Sequence, residues 1–198
     1  MRLLLIVAAL FTTLAAETPT PRKIAVARTF GNTGQVGLFV AASDGSDERP
    51  LLSSADSDYD PVWAPDGSSI VFTSERAGSA DLYRVKPDGS GLERLTTDPA
   101  YDDQAAFSLD AKHLVFVSTR RGGRPFLWIM DLSTRSAKAL TSGPGGDFRP
   151  SWSPDGKWIA FSSVRGDAIW SQTFEPSSAR RKISAGAARR NRSPSEIE

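Results

Sequence analysis

Three aspartates each stand three residues after an aromatic: Asp66 after Trp63, Asp110 after Phe107 and Asp155 after Trp152. Two of them sit in Pro-Asp-Gly. A carboxylate placed this way could serve as a general acid, or as one oxygen ligand of a hard cation. The same frame carries Asp58, Asp102 and Asp147 five residues before the aromatic. It carries Ser74, Ser118 and Ser163 eleven after it, and Arg76, Arg120 and Arg165 thirteen after it. Glycoside hydrolysis needs a particular pair of carboxylates, whereas groups that recur in every copy point to construction of the copies themselves. The arginines are expected to fasten strand ends, with the aspartate five before the aromatic as one available partner.

Other chemistries are short of residues. His113 is the single histidine and there is no cysteine, so zinc sites of the usual Cys/His kind cannot be assembled. No Gly-x-Ser-x-Gly elbow accompanies any serine, and a Ser-His-Asp triad would have to use His113. His113 falls where the other copies carry Ser69 and Trp158, which reads as a surface position. The acidic stretches Ser43–Asp47 and Asp56–Asp60 lack the full spacing of a calcium loop and read as solvated turns. Ser142-Gly143-Pro144-Gly145-Gly146 lacks the lysine and hydroxyl of a phosphate cradle, and reads as a loop between repeats. The expectation is no catalytic, cofactor-binding or metal-binding residue and no cofactor.

The elements that position these residues repeat with a period of 44 to 45. After the aromatic come Ile70 and Phe72, Leu114 and Phe116, Ile159 and Phe161. Further on stand Leu82-Tyr83, Leu127-Trp128 and Ile169-Trp170. Each copy closes on a basic, apolar, hydroxyl run: Arg94-Leu95-Thr96, Lys138-Ala139-Leu140-Thr141 and Lys182-Ile183-Ser184. Alternation of apolar residues predicts short strands half-buried on one face, and Pro, Asp, Gly and Ser clusters predict the turns between them. Proline presets a turn and glycine accepts positive φ, so Pro-Asp-Gly reads as the corner between first and second strands. Phe107-Ser108-Leu109-Asp110-Ala111 keeps only the aspartate, which makes it the weakest of the three turns.

Four strands in about 44 residues is the mark of a β-propeller blade. The expected fold is therefore all-β: a propeller of four-stranded antiparallel blades, with three full copies at 58–96, 102–141 and 147–184. A partial blade at 24–52 lacks its first strand. Three copies and a part predict an incomplete or truncated ring. Arg192-Ser193-Pro194-Ser195 stands where a new first strand would come, but without the aromatic and the glycine.

Residues 1–16 have one early arginine, an apolar run from Leu3 to Leu14 and small residues at Ala15 and Ala16, the layout of a secretory signal peptide. The repeats then occupy 17–184, and a basic, disordered tail 185–198. With 24 basic against 23 acidic residues, the net charge of +1 argues against a nucleic-acid partner. The arginine-rich stretch 180–192 could make weak contact with an anionic membrane.

Trp-Ala-Pro-Asp-Gly at 63–67, Trp-Ser-Pro-Asp-Gly at 152–156 and the apolar and Asp-Leu-Tyr segments that follow resemble the WD40-like propeller repeat of TolB-type proteins, over about residues 24 to 184. That resemblance implies an exported, periplasmic or secreted, non-catalytic scaffold of cell-envelope organisation. Its partner would be another protein, an envelope lipoprotein in the family's case, and a homo-oligomer could complete the ring. The alternative is the truncated propeller portion of a prolyl-oligopeptidase-like serine peptidase, whose propeller has similar repeats.

Overall fold

The computed structural model describes residues 23–31, 33–53, 56–164, 168–173 and 181–185. The segments read as signal peptide and as basic tail lie outside these, except that Ala185 closes a strand; Arg165 and Arg192–Ser195 also lie outside. Every described element is a strand. They are β1 Lys23–Thr29, β2 Val36–Ala42, β3 Arg49–Pro50, β4 Asp58–Trp63, β5 Ile70–Ser74, β6 Asp81–Val85, β7 Glu93–Arg94 and β8 Asp102–Phe107. The series continues with β9 His113–Arg121, β10 Arg124–Asp131, β11 Ala137–Ala139, β12 Asp147–Trp152, β13 Trp158–Ser163, β14 Ala168–Thr173 and β15 Arg181–Ala185. They form one three-stranded sheet, β1-β2-β3, and three four-stranded sheets, β4 to β7, β8 to β11 and β12 to β15, each in sequence order and antiparallel. These are propeller blades, three full and one of three strands. First strands β4, β8 and β12 touch one another in succession while outer strands β3, β7 and β11 do not, so the first strands line the inside of the arc.

Burial departs from the one-face expectation. All five residues of β5 are buried, as are Leu114 to Ser118 of β9. The alternation is still there, but each face meets a different neighbour. Leu114 and Phe116 pack toward the preceding blade with Val71, Leu82 and Leu95, and Val115 and Val117 pack toward the next with Ile159 and Phe161. Stacking blade on blade gives an inner strand two dry faces, so polar residues are removed from both.

The corner between first and second strands forms in every full copy. Gly67 and Gly156 take positive φ, 72° and 68°, and Ala111 is driven to 56° at the matching place. Asp66 Oδ1 accepts from the Ser68 amide at 3.0 Å and its hydroxyl at 2.7 Å; Asp110 Oδ1 accepts from the Lys112 amide at 3.1 Å and the Ser108 hydroxyl at 2.6 Å. These bonds to the ionised form hold the Asp66, Asp110 and Asp155 carboxyls below their ordinary range. The aspartates of Pro-Asp-Gly are therefore turn builders. Ala111 lacks glycine's freedom, and a left-handed alanine costs about 1 kcal/mol. Ala111→Gly is accordingly expected to raise the melting temperature by about 2–4 °C, read by calorimetry.

Asp56–Asp60 is not a turn. Asp58 opens β4 and is 1% exposed, because Arg76 reaches back across the sheet to hold it. By contrast the acidic turn at Ser43–Asp47 forms as expected, with Asp44 Oδ1 accepting from the amide and hydroxyl of Ser46.

Candidate functional site

Arg76 and Arg120, the repeated arginines among the described residues, come to rest in one constellation. Arg76 Nη2 donates to both carboxylate oxygens of Asp58 at 2.8 and 2.9 Å, its Nε to Ser74 Oγ at 2.8 Å, and its guanidinium lies 4.9 Å from the centre of the Tyr83 ring. Arg120 repeats this with Asp102 at 2.6 Å, Ser118 at 2.9 Å and Trp128 at 4.7 Å. Burial pushes the Asp102 carboxyl above its ordinary range even though Arg120 pulls it down. The closing run is structural too: Thr96 and Thr141 hydroxyls accept from the amides of Leu82 and Leu127, and Arg94 pairs with buried Asp81 at 2.7 Å. A paired, buried aspartate with an arginine fork over it has no access to a substrate. These residues tie first, second and third strands together.

What the repeat does not explain lies on the inside of the arc. Each first strand carries a bulge, its register slipping between Tyr59 and Val62, Asp103 and Ala106, and Phe148 and Ser151. At the bulges Asp60, Gln104 and Arg149 hold φ of 50°, 53° and 52°. Non-glycine residues seldom adopt this conformation, and bulges re-aim side chains. Pro61 and Pro150, which have no amide hydrogen to offer, follow without loss because the first strand is an edge. With Val62 and Ala105 these residues line an open cavity of about 470 Å³ along the channel side.

A polar network joins the strip. Asp103 accepts from the Thr73 hydroxyl at 3.0 Å and from the Gln104 amide, and Gln104 Oε1 accepts from the Arg149 amide at 2.8 Å. Partial burial, then the neighbouring Asp103 charge, raise the Asp60 carboxyl, while Arg149 opposes them. Burial and the Asp103 and Glu75 charges likewise raise the Tyr59 phenol, which donates to Glu75 at 3.3 Å. Asp60 and Arg149 are nevertheless exposed at their tips. The strip offers an acid, an amide and a cation to whatever covers the channel mouth. Sequence reasoning passed over all three because they share no residue type. The signal that marks them is their common place, three before the repeated aromatic.

His113 is half-buried rather than exposed. Its Nδ1 lies 4.0 Å from Asp110 and its Nε2 3.9 Å from Asp131, beside a second open cavity of about 420 Å³ shared with Trp152 and Asp155. Among the described residues no cluster of three His, Cys, Asp or Glu could hold a metal ion.

Comparison with known proteins agrees with this architecture. The family model of the TolB beta propeller domain matches residues 13–122. An uncharacterized protein of Agrobacterium fabrum is 28% identical over 69% of this chain and 46% of its own length. The Tol-Pal system protein TolB of Anaeromyxobacter dehalogenans is 33% identical over 58% of this chain and 26% of its own. An uncharacterized peptidase of Bacillus subtilis is 27% identical over 64% of this chain and 18% of its own. The chain thus spans less than half the length of these curated relatives. Among solved structures, TolB from Acinetobacter baumannii superposes with a TM-score of 0.74 at 28% identity, covering 83% of this chain and 42% of that one. A puromycin hydrolase, at 20% identity and a TM-score of 0.62, shares the fold over 76% of this chain and 24% of its own. With a matched family model over more than half its length and blades built as the fold requires, the chain belongs to the TolB β-propeller domain family.

Proposed function

We propose that this chain is a non-catalytic, exported binding scaffold of the cell envelope, which receives a partner protein over the channel mouth lined by β4, β8 and β12. One observation carries the reading. The framework residues Asp58 and Asp102, Arg76 and Arg120 are the same from blade to blade, whereas the equivalent left-handed positions present three chemistries, Asp60, Gln104 and Arg149. A repetitive scaffold becomes selective only where its copies differ. Strained conformations at matching positions, exposed at Asp60 and Arg149 and half-buried at Gln104, support a recognition role. The likeness to TolB of the Tol-Pal system supports an envelope lipoprotein as that partner.

The test is calorimetric titration with the purified periplasmic domain of the peptidoglycan-associated lipoprotein. Arg149→Glu should weaken binding about tenfold or more, since it sets a like charge beside Asp60 and Asp103 at the mouth. Its melting temperature should stay near the parent's, because the side chain is exposed. Unchanged affinity would remove the strip from the interface. The peptidase likeness supports a second reading, the propeller portion of a prolyl-oligopeptidase-like serine peptidase. A coding sequence running past Glu198 into a Gly-x-Ser-x-Gly elbow would favour that reading.

A further inference from the structure

The cavity beside His113 lies where two blade corners meet, past the ends of first strands β8 and β12. Leu109 and Asp110 of one corner and Asp155 of the next line it, together with Trp152 and His113. The two corners are not alike. Leu109 and Ala111 stand where the third copy has Pro154 and Gly156, so the middle corner carries a longer apolar side chain in place of the proline ring. Leu109 is 61% exposed, at the edge of a cavity already walled by an indole. Apolar surface gathered at an open cavity is the ordinary composition of a binding site.

The polar groups around it have one sign. Asp110 and Asp155 each spend Oδ1 inside their own turn, on the hydroxyls of Ser108 and Ser153 and the amides of Lys112 and Lys157. Those bonds favour the ionised form, so both carboxylates carry their charge at neutral pH. Lys112 and Lys157 follow them in the chain, yet neither lines the cavity. The Trp152 Nε1 donates to the Ala106 carbonyl at 3.2 Å, so the indole lines the cavity as apolar, π-rich carbon. The chain itself shows what lies well between an aromatic ring and a carboxylate. Arg120 sits 4.7 Å from the Trp128 ring centre and donates to Asp102, and Arg76 does the same with Tyr83 and Asp58. A planar guanidinium stacks on a ring while its fork bonds carboxylates, which an ammonium does less well.

We propose that this cavity is a binding site for an arginine of a partner polypeptide, with an apolar residue beside it in the partner's sequence. The guanidinium lies against Trp152 within reach of the Asp110 and Asp155 carboxylates, and the neighbouring apolar side chain covers Leu109. A polypeptide suits the site better than a free guanidinium compound. The cavity, at about 420 Å³, has more room than one guanidinium fills, and the surplus is bordered by exposed leucine. This surface is separate from the strip at Asp60, Gln104 and Arg149, which precedes the repeated aromatic where the cavity follows it. The two readings therefore stand or fall independently.

The probe is the acetylated and amidated tripeptide Leu-Arg-Leu, titrated into isotope-labelled full chain while the Trp152 indole resonance is followed by NMR. Its loss in Trp152→Phe identifies that resonance. A saturable shift is expected. Asp110→Asn combined with Asp155→Asn keeps the turn acceptors but removes both charges, and should weaken binding about tenfold or more. Leu109→Ser, which leaves the turn bonds untouched, should weaken it about threefold. Leu-Lys-Leu should also bind about threefold more weakly. Arg149→Glu should leave the affinity unchanged, so a failure at the channel mouth is told apart from a failure here. No saturable shift, an affinity that survives both the double substitution and Leu109→Ser, or equal binding of Leu-Lys-Leu would overturn the proposal. Arginine amide alone binding as tightly as the tripeptide would overturn the polypeptide as occupant.

Discussion

Arg120→Ala is expected to lower stability by about 3 kcal/mol, the scale for breaking a buried ion pair by removing one partner. For a chain of this size that is roughly a 6–12 °C fall in melting temperature. Asp102 is fully buried and would keep its charge without its fork. The Trp128 and Phe116 rings would lose the cation above them. The pH dependence has a definite sign. Burial already raises the Asp102 carboxyl above its unfolded value, so its ionisation costs stability as pH rises through the folded pKa. Without Arg120 that pKa climbs further, so the deficit of the variant should be smaller at pH 4 than at pH 7. Urea titrations at both pH values read this directly. Arg120→Ala with Asp102→Asn should recover part of the loss, and a melting temperature unchanged at pH 7 would exclude the fastening role.

Phe116→Ala should cost about as much or more, roughly 3–5 kcal/mol. The ring is wholly buried between two blades, with Val71, Leu82 and Leu95 of the preceding blade and Met130 of its own around it. A blade touches only its neighbours, so a cavity at this plane acts on the junction between the blade of β4 to β7 and that of β8 to β11. Hydrogen exchange should show protection lost first for β5 and β9, with β13, on the far side of the next junction at Ile159 and Phe161, less affected. Uniform loss across all blades would mean the stack unfolds as one unit.

The fold was legible because it is written three times. Trp63, Phe107 and Trp152 set the register, Pro-Asp-Gly the corners, and the recurring Asp and Arg their own pairing, which the structure realises in both blades where the arginine is described. Two readings went astray for the same reason. β5 and the middle of β9, judged half-buried, are buried on both faces, and Asp56–Asp60 judged a turn begins a strand, because neither stretch states what lies on its second side. His113 likewise becomes half-buried only because Asp131 and Trp152 arrive from elsewhere in the chain.

By itself the sequence determined the blade: its strand count, its corners and the residues that fasten it. Those depend on local turn chemistry and on contacts within about forty residues, which spacing records. Only the tertiary structure decided where the blades face solvent with something to say. Asp60, Gln104 and Arg149 are 44 and 45 residues apart and chemically unrelated. They become one surface because each first strand bulges at the same place and the three strands converge on the channel.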